Sequence, residues 1–317
     1  MVTKQDSTGM AAKRGLFFDT ATLYYRAFYA VPESITAPDG TPSGALRSFL
    51  DMVSALYAQF PADNVVFAWD DDWRPQWRVD LVPSYKAHRV DEGSVAGESS
   101  ETVPDNLSPQ IDAIAKVLDS IGLRRIGQYE HEADDILGAL VKKHKANCDV
   151  ITGDRDLFQL VDDANDIRVI SITKGLRNLE FVDDNFLIAK YGINGSQYAD
   201  FALMRGDASD GLPGVKGIGE KTAAKLVAEY NDIVAIQKAA ADPSAPLAPA
   251  VRRNILESSD YIESGGRVVR VRTDAKISGS LAVPKKVSDS EELEALTVEW
   301  GIEKQVTRLL KTLNIVR

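Results

Sequence analysis

The stretch Val150-Ile151-Thr152-Gly153-Asp154-Arg155-Asp156-Leu157-Phe158-Gln159-Leu160 combines the features that decide the fold. Its first residues are apolar and β-branched, which predicts a short buried strand. Two carboxylates one residue apart follow the strand, and the segment from Asp156 onward predicts the start of a helix. Acids at the end of a parallel strand lie at the edge of an α/β sheet where ligands bind.

Asp154 and Asp156 have two interpretations. Acidic residues often cap the first turn of a helix on the surface. Alternatively, both acids turn toward one point, where two like charges resist joint ionisation unless a cation compensates them. Because the candidate ligands are oxygen atoms, the cation would be Mg²⁺ or Mn²⁺.

Two more apolar segments end in acid. Residues 15–19 end at Asp19, and residues 64–70 end at Asp70, which Asp71 and Asp72 follow. Helical spacing of apolar residues over 45–60 and 109–121 separates the strands, and strand–helix–strand order predicts a parallel sheet. Residues 167–172 predict a further strand and residues 181–191 a helix. We therefore expect an α/β fold with a mostly parallel central sheet flanked by helices.

Composition is that of a globular protein. The 317 residues include one cysteine, Cys148, which excludes internal disulfides and favours a cytoplasmic location. No apolar run reaches the length of about 18 residues that a membrane span needs, so we expect no membrane partner. The net charge of −10 argues against nucleic acid, unless the acids are concentrated at a metal site. The polar segment 1–13 predicts a disordered tail.

Further acids cluster at two places. Glu132, Asp134 and Asp135 open a helix, where the helix dipole alone would favour one or two acids. Asp207 and Asp210 lie three residues apart on a turn bounded by glycines. Together with the acids at the strand ends, these residues make up a larger number of carboxylates than folding alone requires.

Two further segments carry candidate basic residues. Arg26 lies in an aromatic segment that is either core or a platform for stacked bases. Tyr85, Lys86 and Arg89 precede a Ser- and Gly-rich stretch, 91–109, that predicts a long loop.

The segment from Gly214 to Lys225 predicts a helix–hairpin–helix. Glycines allow a tight turn with outward amides, a helix N-terminus follows, and lysines flank it, which together suit the phosphate backbone of nucleic acid. The residues are Gly214, Lys216, Gly217, Gly219, Lys221, Thr222 and Lys225. A plain glycine-rich connection is the alternative.

Three stretches, Glu132–Asp135, Thr152–Leu160 and Leu203–Ala223, together resemble the 5′ nuclease family, which includes the 5′-3′ exonuclease domain of bacterial DNA polymerase I and stand-alone flap endonucleases. The resemblance implies a PIN-like α/β nuclease core over 14–200, with an arch over about 83–109. It implies a C-terminal helical DNA-binding region over 201–317, with the hairpin at about 212–230.

The resemblance also implies roles for individual residues. Two or more Mg²⁺ or Mn²⁺ ions would be held by Asp19, Asp70 or Asp71, Glu132, Asp134, Asp135, Asp154, Asp156, Asp207 and Asp210. Lys86 and Arg89 would contact the scissile phosphate, Tyr85 would stack near the reacting nucleotide, and the hairpin would hold K⁺. Two departures from the family pattern are Thr20, where glycine is usual, and an acidic rather than basic arch.

The predicted function is a structure-specific DNA nuclease that acts on 5′ flaps, nicked or gapped duplexes and 5′ ends in replication and repair. DNA polymerase or ligase are the candidate protein partners, and we expect a monomer. A PIN-like ribonuclease and a non-catalytic protein that binds DNA junctions are the alternatives.

Overall fold

A computed structural model of the chain describes residues 13–90 and 103–317. Within them, six strands form a sheet in the order β3-β2-β1-β4-β5-β6. Every neighbouring pair is parallel except β5 and β6. The strands are β1 (Gly15–Asp19), β2 (Asn64–Ala68), β3 (Arg124–Ile126), β4 (Cys148–Thr152), β5 (Ile167–Ser171) and β6 (Glu180–Val182). The predicted fold class, a mostly parallel sheet flanked by helices, is confirmed.

Helices cover both faces of the sheet. They are α1 (Thr20–Ala30), α2 (Gly44–Gln59), α3 (Gln76–Leu81), α4 (Ser108–Ile121), α5 (Ala133–His144), α6 (Asp184–Tyr191), α7 (Gly195–Arg205), α8 (Glu220–Tyr230), α9 (Ile233–Ala241), α10 (Pro249–Glu257), α11 (Ser259–Val269), α12 (Ser290–Trp300) and α13 (Glu303–Leu313). Short 3₁₀ turns at Ala87–Arg89, Asp156–Leu160 and Ala208–Asp210 lie near the carboxyl end of the sheet.

Alternate strand residues belong to two separate cores. Phe17 and Val150 point toward a core built with α5, α7, α8 and α11. Phe18 and Ile151 point toward a second core built with α1, α2, α4 and α13. Because strand side chains alternate between faces, near-continuous apolar strands are what a sheet buried on both faces requires.

The last two helices differ from the prediction. The sequence suggested that 201–317 forms one DNA-binding region, but α13 packs against α2 and α12 against α4. Leu296 and Leu309 are buried in the core that contains α2 and α4. The chain therefore returns to the core over 14–200 after α11, because these helices carry apolar faces that complete that core on one side.

Two local predictions also need correction. Residues 181–191 do not form one helix, because Val182 is buried in β6 opposite Val169 and Asp183 caps α6. The helix predicted after Asp154 is only the 3₁₀ turn Asp156–Leu160.

Residues 1–12 of the predicted tail, 1–13, and residues 91–102 of the predicted arch, about 83–109, lie outside the described residues. No helix in the described part of the chain is both long and apolar enough to cross a membrane.

Candidate active site

An open pocket of about 520 Å³ lies where β1, β2 and β4 end. These strands are parallel neighbours, so their carboxyl ends meet at one edge of the sheet. The predicted site residues that line the pocket are Asp19, Arg26, Asp70, Lys86, Arg89, Glu132, Asp134, Asp154 and Asp207. The first and last of these residues, Asp19 and Asp207, are 188 positions apart in sequence. The fold therefore brings residues that are distant along the chain to one cavity.

Asp19 ends β1 and caps α1. Its Oδ1 accepts a hydrogen bond from the Thr22 amide at 3.2 Å. Its Oδ2 accepts one from the Thr152 hydroxyl at 2.6 Å and another from the Thr22 hydroxyl. Three donors therefore hold this buried carboxylate in one orientation.

Asp70 and Asp71 have different environments. Asp70 lines the pocket, and its Oδ1 accepts a hydrogen bond from the Ala133 amide at 2.8 Å. Burial, aided by neighbouring carboxylates, raises the pKa of Asp70 to about 7. Asp71 is exposed, and its carboxylate lies against Gly127 instead of the pocket. The geometry therefore favours Asp70 over Asp71 as the candidate ligand.

Glu132 contacts several buried polar side chains, and only 3% of the residue is exposed. Its Oε2 accepts hydrogen bonds from the Tyr85 hydroxyl at 3.0 Å and Lys86 Nζ at 2.6 Å. Its buried Oε1 accepts no hydrogen bond, although Arg78 Nη1 lies 3.4 Å away. Burial would lower the pKa of Lys86, but Glu132, together with smaller effects of Tyr85, Asp210 and Asp70, raises that pKa well above its usual value.

The acids at the start of α5 face opposite ways, which corrects one prediction. Asp134 lines the pocket, and desolvation followed by Asp154 and Asp19 raises its pKa well above the usual value. Asp135 is fully buried and forms hydrogen bonds of 2.9 and 2.8 Å with the Arg78 guanidinium.

The sequence suggested that Glu132 and Asp135 share a helix face. Glu132 instead precedes the helix as its N-cap, in an extended conformation, so helical periodicity does not apply to it. The Asp135 carboxylate also accepts the Glu132 and Arg272 amides, at 3.1 and 2.7 Å. Its oxygens are thus occupied by protein donors, and we do not assign it to the metal-ligand set.

The turn after β4 places Asp154 at the pocket. The Asp154 amide donates to the Thr152 hydroxyl at 2.8 Å, and its Oδ1 accepts the Asp156 amide at 2.8 Å. Desolvation raises the pKa of Asp154, and Asp19 and Asp207 add to the rise. Asp156 does not line the pocket, but desolvation and then Asp154 raise its pKa well above the usual value.

Asp207 and Asp210 bracket the 3₁₀ turn before the hairpin. Desolvation would raise the pKa of Asp207, but hydrogen bonds from Ser209 outweigh it and lower that pKa. Asp210 Oδ1 accepts a hydrogen bond from Arg89 Nη2 at 2.7 Å. The Asp210 carbonyl accepts the Lys86 amide at 3.0 Å. The start of the predicted arch is thereby joined to the hairpin.

Arg26 and aromatic rings form the rim opposite these acids. Arg26 Nη1 donates to the Thr173 carbonyl at 3.1 Å, and the side chain also lines the pocket. Tyr25, Tyr29 and Trp73 line the same pocket, and Tyr29 is 74% exposed. A basic group beside accessible aromatic rings can bind a single nucleic-acid strand, because the basic group contacts phosphates and the rings stack on bases.

The predicted hairpin connects α7 with α8. Gly214 and Gly217 have φ of 69° and 71°, the left-handed region that favours glycine. Gly219 caps α8, and Thr222 lies in its first turn, half-buried. Lys216, Lys221 and Lys225 are exposed. The segment therefore presents a helix N-terminus with three accessible ammonium groups.

The pocket carries oxygen donors suited to a hard divalent cation. The raised pKa of Asp134 indicates a carboxylate that a bound cation would stabilise, and Glu132 Oε1 accepts no hydrogen bond, although the Arg78 guanidinium lies 3.4 Å away. Among residues 13–90 and 103–317, however, no three acidic, histidine or cysteine side chains are close enough to form a preassembled ligand group. Lys86 instead supplies the charge that Glu132 faces.

Comparison with known families decides the relationship. The N-terminal resolvase-like domain of 5′-3′ exonucleases matches residues 14–192, and the C-terminal SAM fold of 5′-3′ exonucleases matches residues 193–290. The chain belongs to the 5′-3′ exonuclease family. The resemblance noted from the sequence is thus confirmed, and so is its consequence that the chain is a nuclease.

Two relatives of this 5′-3′ exonuclease family member cover nearly the whole chain, and a third covers about two thirds of it. A 5′-3′ exonuclease of Streptomyces coelicolor is 48% identical over 94% of this chain and 100% of its own length. One of Mycobacterium tuberculosis is 41% identical over 94% of this chain and 97% of its own length. DNA polymerase I of M. tuberculosis is 35% identical over 69% of this chain, which corresponds to 23% of the polymerase.

Solved structures share the fold. The T5 D15 protein, co-crystallised with metal ions, has a TM-score of 0.64 at 16% identity and covers 95% of this chain and 100% of its own. The catalytic core of Rad2 in complex with a DNA substrate has a TM-score of 0.57 at 14% identity, covering 95% of this chain and 92% of its own. At such identities the likeness concerns the fold alone.

Two residues beside the exonuclease pocket were not found by sequence reasoning. Arg78 pairs with Asp135, 57 residues later, and no local pattern indicates that contact. Thr152 bonds to Asp19, 133 residues earlier. The sequence feature that could have indicated Thr152 is its position as a polar residue at the end of an apolar strand. No comparable feature of the sequence indicates Arg78.

Proposed function

We propose that the chain is a metal-dependent, structure-specific DNA nuclease that cuts at 5′ flaps and shortens 5′ ends. The observation that carries the proposal is the joining of the acidic pocket to the hairpin. Arg89 Nη2 bonds to Asp210 at 2.7 Å, and the Ser84 hydroxyl donates to the Gly211 carbonyl at 2.6 Å. A duplex on the hairpin would therefore have its strand end directed toward the carboxylates.

The cofactor in this proposal is Mg²⁺ or Mn²⁺, with two or more ions. The first set of ligands is Asp19, Asp70, Glu132 and Asp134, and the second is Asp154, Asp156, Asp207 and Asp210. Divalent ions bound there would relieve charge on the phosphate and favour deprotonation of water. Proteins that share the fold have been crystallised with metal ions, which supports the metal dependence of this proposal.

Lys86 and Arg89 would bind the scissile phosphate. Both line the pocket, and the raised pKa of Lys86 keeps its ammonium protonated at neutral pH. Fixed cations beside a phosphate stabilise the charge that develops in its transition state. Arg26 would contact a neighbouring phosphate, and Tyr85, buried against Glu132, would orient that carboxylate instead of stacking on the nucleotide.

The hairpin would hold duplex DNA by its backbone. Lys216, Lys221 and Lys225 supply charge, and amides at the α8 N-terminus supply donors that ignore base identity. The turn around Gly214 and Gly217 is the proposed K⁺ position. Action in repair beside a DNA polymerase or ligase, as a monomer, remains part of the proposal.

The test uses an internally labelled duplex with a 5′ flap, incubated in Mg²⁺, Mn²⁺ or excess EDTA. We expect cuts near the flap junction only with metal, and a product ladder that separates endonuclease from exonuclease action. Asp154→Asn should lower the rate at least ~100-fold because it removes an anionic ligand of the proposed metal ions. The exposed Asp260→Asn on α11 is the matched control.

The same experiment distinguishes the alternatives. Preferential cleavage of a matched RNA flap would support a PIN-like ribonuclease instead. Tight binding of the DNA junction without a cut in either metal would support a non-catalytic junction-binding protein.

A further inference from the structure

Thr152 lies between the two proposed groups of carboxylates. It ends β4, is fully buried, and follows the last registered pair of β1 and β4, Phe18 with Ile151. The parallel register therefore sets its side chain beside Asp19, the residue that ends β1.

The Thr152 hydroxyl contacts both groups at once. It donates to Asp19 Oδ2 at 2.6 Å and accepts the Asp154 amide at 2.8 Å. A hydroxyl has one hydrogen to donate, so the donor role toward Asp19 leaves its lone pairs for Asp154. Asp19 belongs to the first proposed set of ligands and Asp154 to the second.

We infer that Thr152 is a positioning residue that sets the first and second carboxylate groups relative to each other. A threonine side chain has a restricted χ1, and burial restricts it further, so the two hydrogen bonds have a rigid origin. The partners of metal ligands typically change metal affinity 10- to 100-fold when removed. This inference rests on the proposed metal-dependent function.

A purely structural role is the competing explanation, since buried hydroxyls generally need partners. The two roles differ in what each substitution changes. Thr152→Val keeps the shape but removes the hydroxyl, whereas Thr152→Ser keeps the hydroxyl. A positioning role predicts that serine rescues metal binding and valine does not.

The experiment measures Mn²⁺ binding to the metal-free protein without DNA, by loss of the free-ion electron paramagnetic resonance signal. We expect the wild type to bind two or more ions, Thr152→Val to bind them ~10- to 100-fold more weakly, and Thr152→Ser to remain within about threefold. The control is Thr297→Val, which removes another buried hydroxyl, one that donates to the Leu293 carbonyl within α12. Thermal unfolding of each metal-free variant reports the structural effect separately.

Each outcome has one meaning. Equal Mn²⁺ affinity of Thr152→Val and wild type would overturn the inference while leaving the proposed function in place. Failure of the wild type to bind Mn²⁺ would overturn the proposed function, and the inference with it. If Thr152→Val does not fold, Thr152→Ala replaces it, and equal weakening by serine and alanine would favour the structural role.

Discussion

Adjacent acids at the end of β2 show how environment distinguishes chemically identical residues. Asp70 is held in the pocket by the Ala133 amide at 2.8 Å, whereas Asp71 is exposed beside Gly127. Burial raises the pKa of Asp70 to about 7. Lys86 offsets part of this rise, and a bound cation would stabilise the ionised Asp70 carboxylate further.

Asp70→Asn and Asp71→Asn form a matched pair at the residue scale. We expect Asp70→Asn to lower flap cleavage at least ~100-fold and Asp71→Asn to change it less than about threefold, because only the first removes a charge from the pocket. Single-turnover cleavage with saturating protein is the measurement. The reverse order of effects would mean that the other aspartate enters the site in the complex.

Position 153 requires glycine because the Thr22 side chain lies close to its Cα atom. An added Cβ would lie 2.8 Å from Thr22 Cγ2, and the hydroxyl of Thr22 bonds to Asp19. We expect Gly153→Ala to lower cleavage ~10- to 100-fold by displacing that hydrogen bond. Adding Thr22→Ser removes the methyl group but keeps the hydroxyl, so the double variant should recover activity. A double variant as impaired as Gly153→Ala would contradict this explanation.

Three helices meet at the buried guanidinium of Arg78. Arg78 of α3 pairs with Asp135 of α5 and donates to the Val268 carbonyl of α11 at 3.4 Å. Its Nη1 also lies 3.4 Å from Glu132 Oε1. Arg78 thereby joins the C-terminal helices to the residue that precedes α5.

Removal of Arg78 tests this contact at the scale of the element. Arg78→Met leaves Asp135 as an unpaired buried charge, and we expect it to destabilise the fold by ~3–5 kcal/mol. Urea unfolding of the metal-free protein is the measurement. Arg253→Met is the control, since the pair of Arg253 with Glu257 at 4.0 Å is exposed and worth ~0.5 kcal/mol or less. A similarly small loss of unfolding free energy in both variants would argue against a stabilising role of Arg78.

The whole molecule carries a net charge of −10, yet its hairpin presents three exposed lysines. The negative charge is concentrated partly in the pocket, and α12 and α13 pack on the nuclease core instead of beside the hairpin. Local charge, and not the total, therefore determines which surface attracts a phosphate backbone.

The hairpin prediction belongs to this scale. Lys221→Gln with Lys225→Gln should weaken duplex binding and lower the slope of log affinity against log salt by up to ~0.9 for each lost phosphate contact. Fluorescence anisotropy in EDTA at several salt concentrations measures both. Lys304→Gln with Lys311→Gln on α13 changes the charge equally and should leave the slope unchanged. Equal effects of the two pairs would indicate a non-specific charge effect.

Local patterns predicted much of the fold and part of the site. Strand ends at Asp19, near Asp70 and before Asp154 are visible as apolar runs followed by acid, and the hairpin is visible as spaced glycines. Residues 181–191 were assigned wrongly because the short edge strand β6 is stabilised by pairing with β5, which is a non-local contact. Asp135 was misplaced because the N-cap conformation of Glu132 interrupts the helical period.

The sequence by itself determined that strands end in carboxylates, that basic residues accompany them, and that a glycine turn precedes a lysine-bearing helix, since each follows from residues close along the chain. Only the tertiary structure decided which carboxylates face the pocket. Asp134 and Asp135 are neighbours, yet one lines the pocket and the other pairs with Arg78. The reason is that burial and counter-charge come from partners distant in sequence, such as Arg78 for Asp135 and Thr152 for Asp19, which meet only when the sheet and helices assemble.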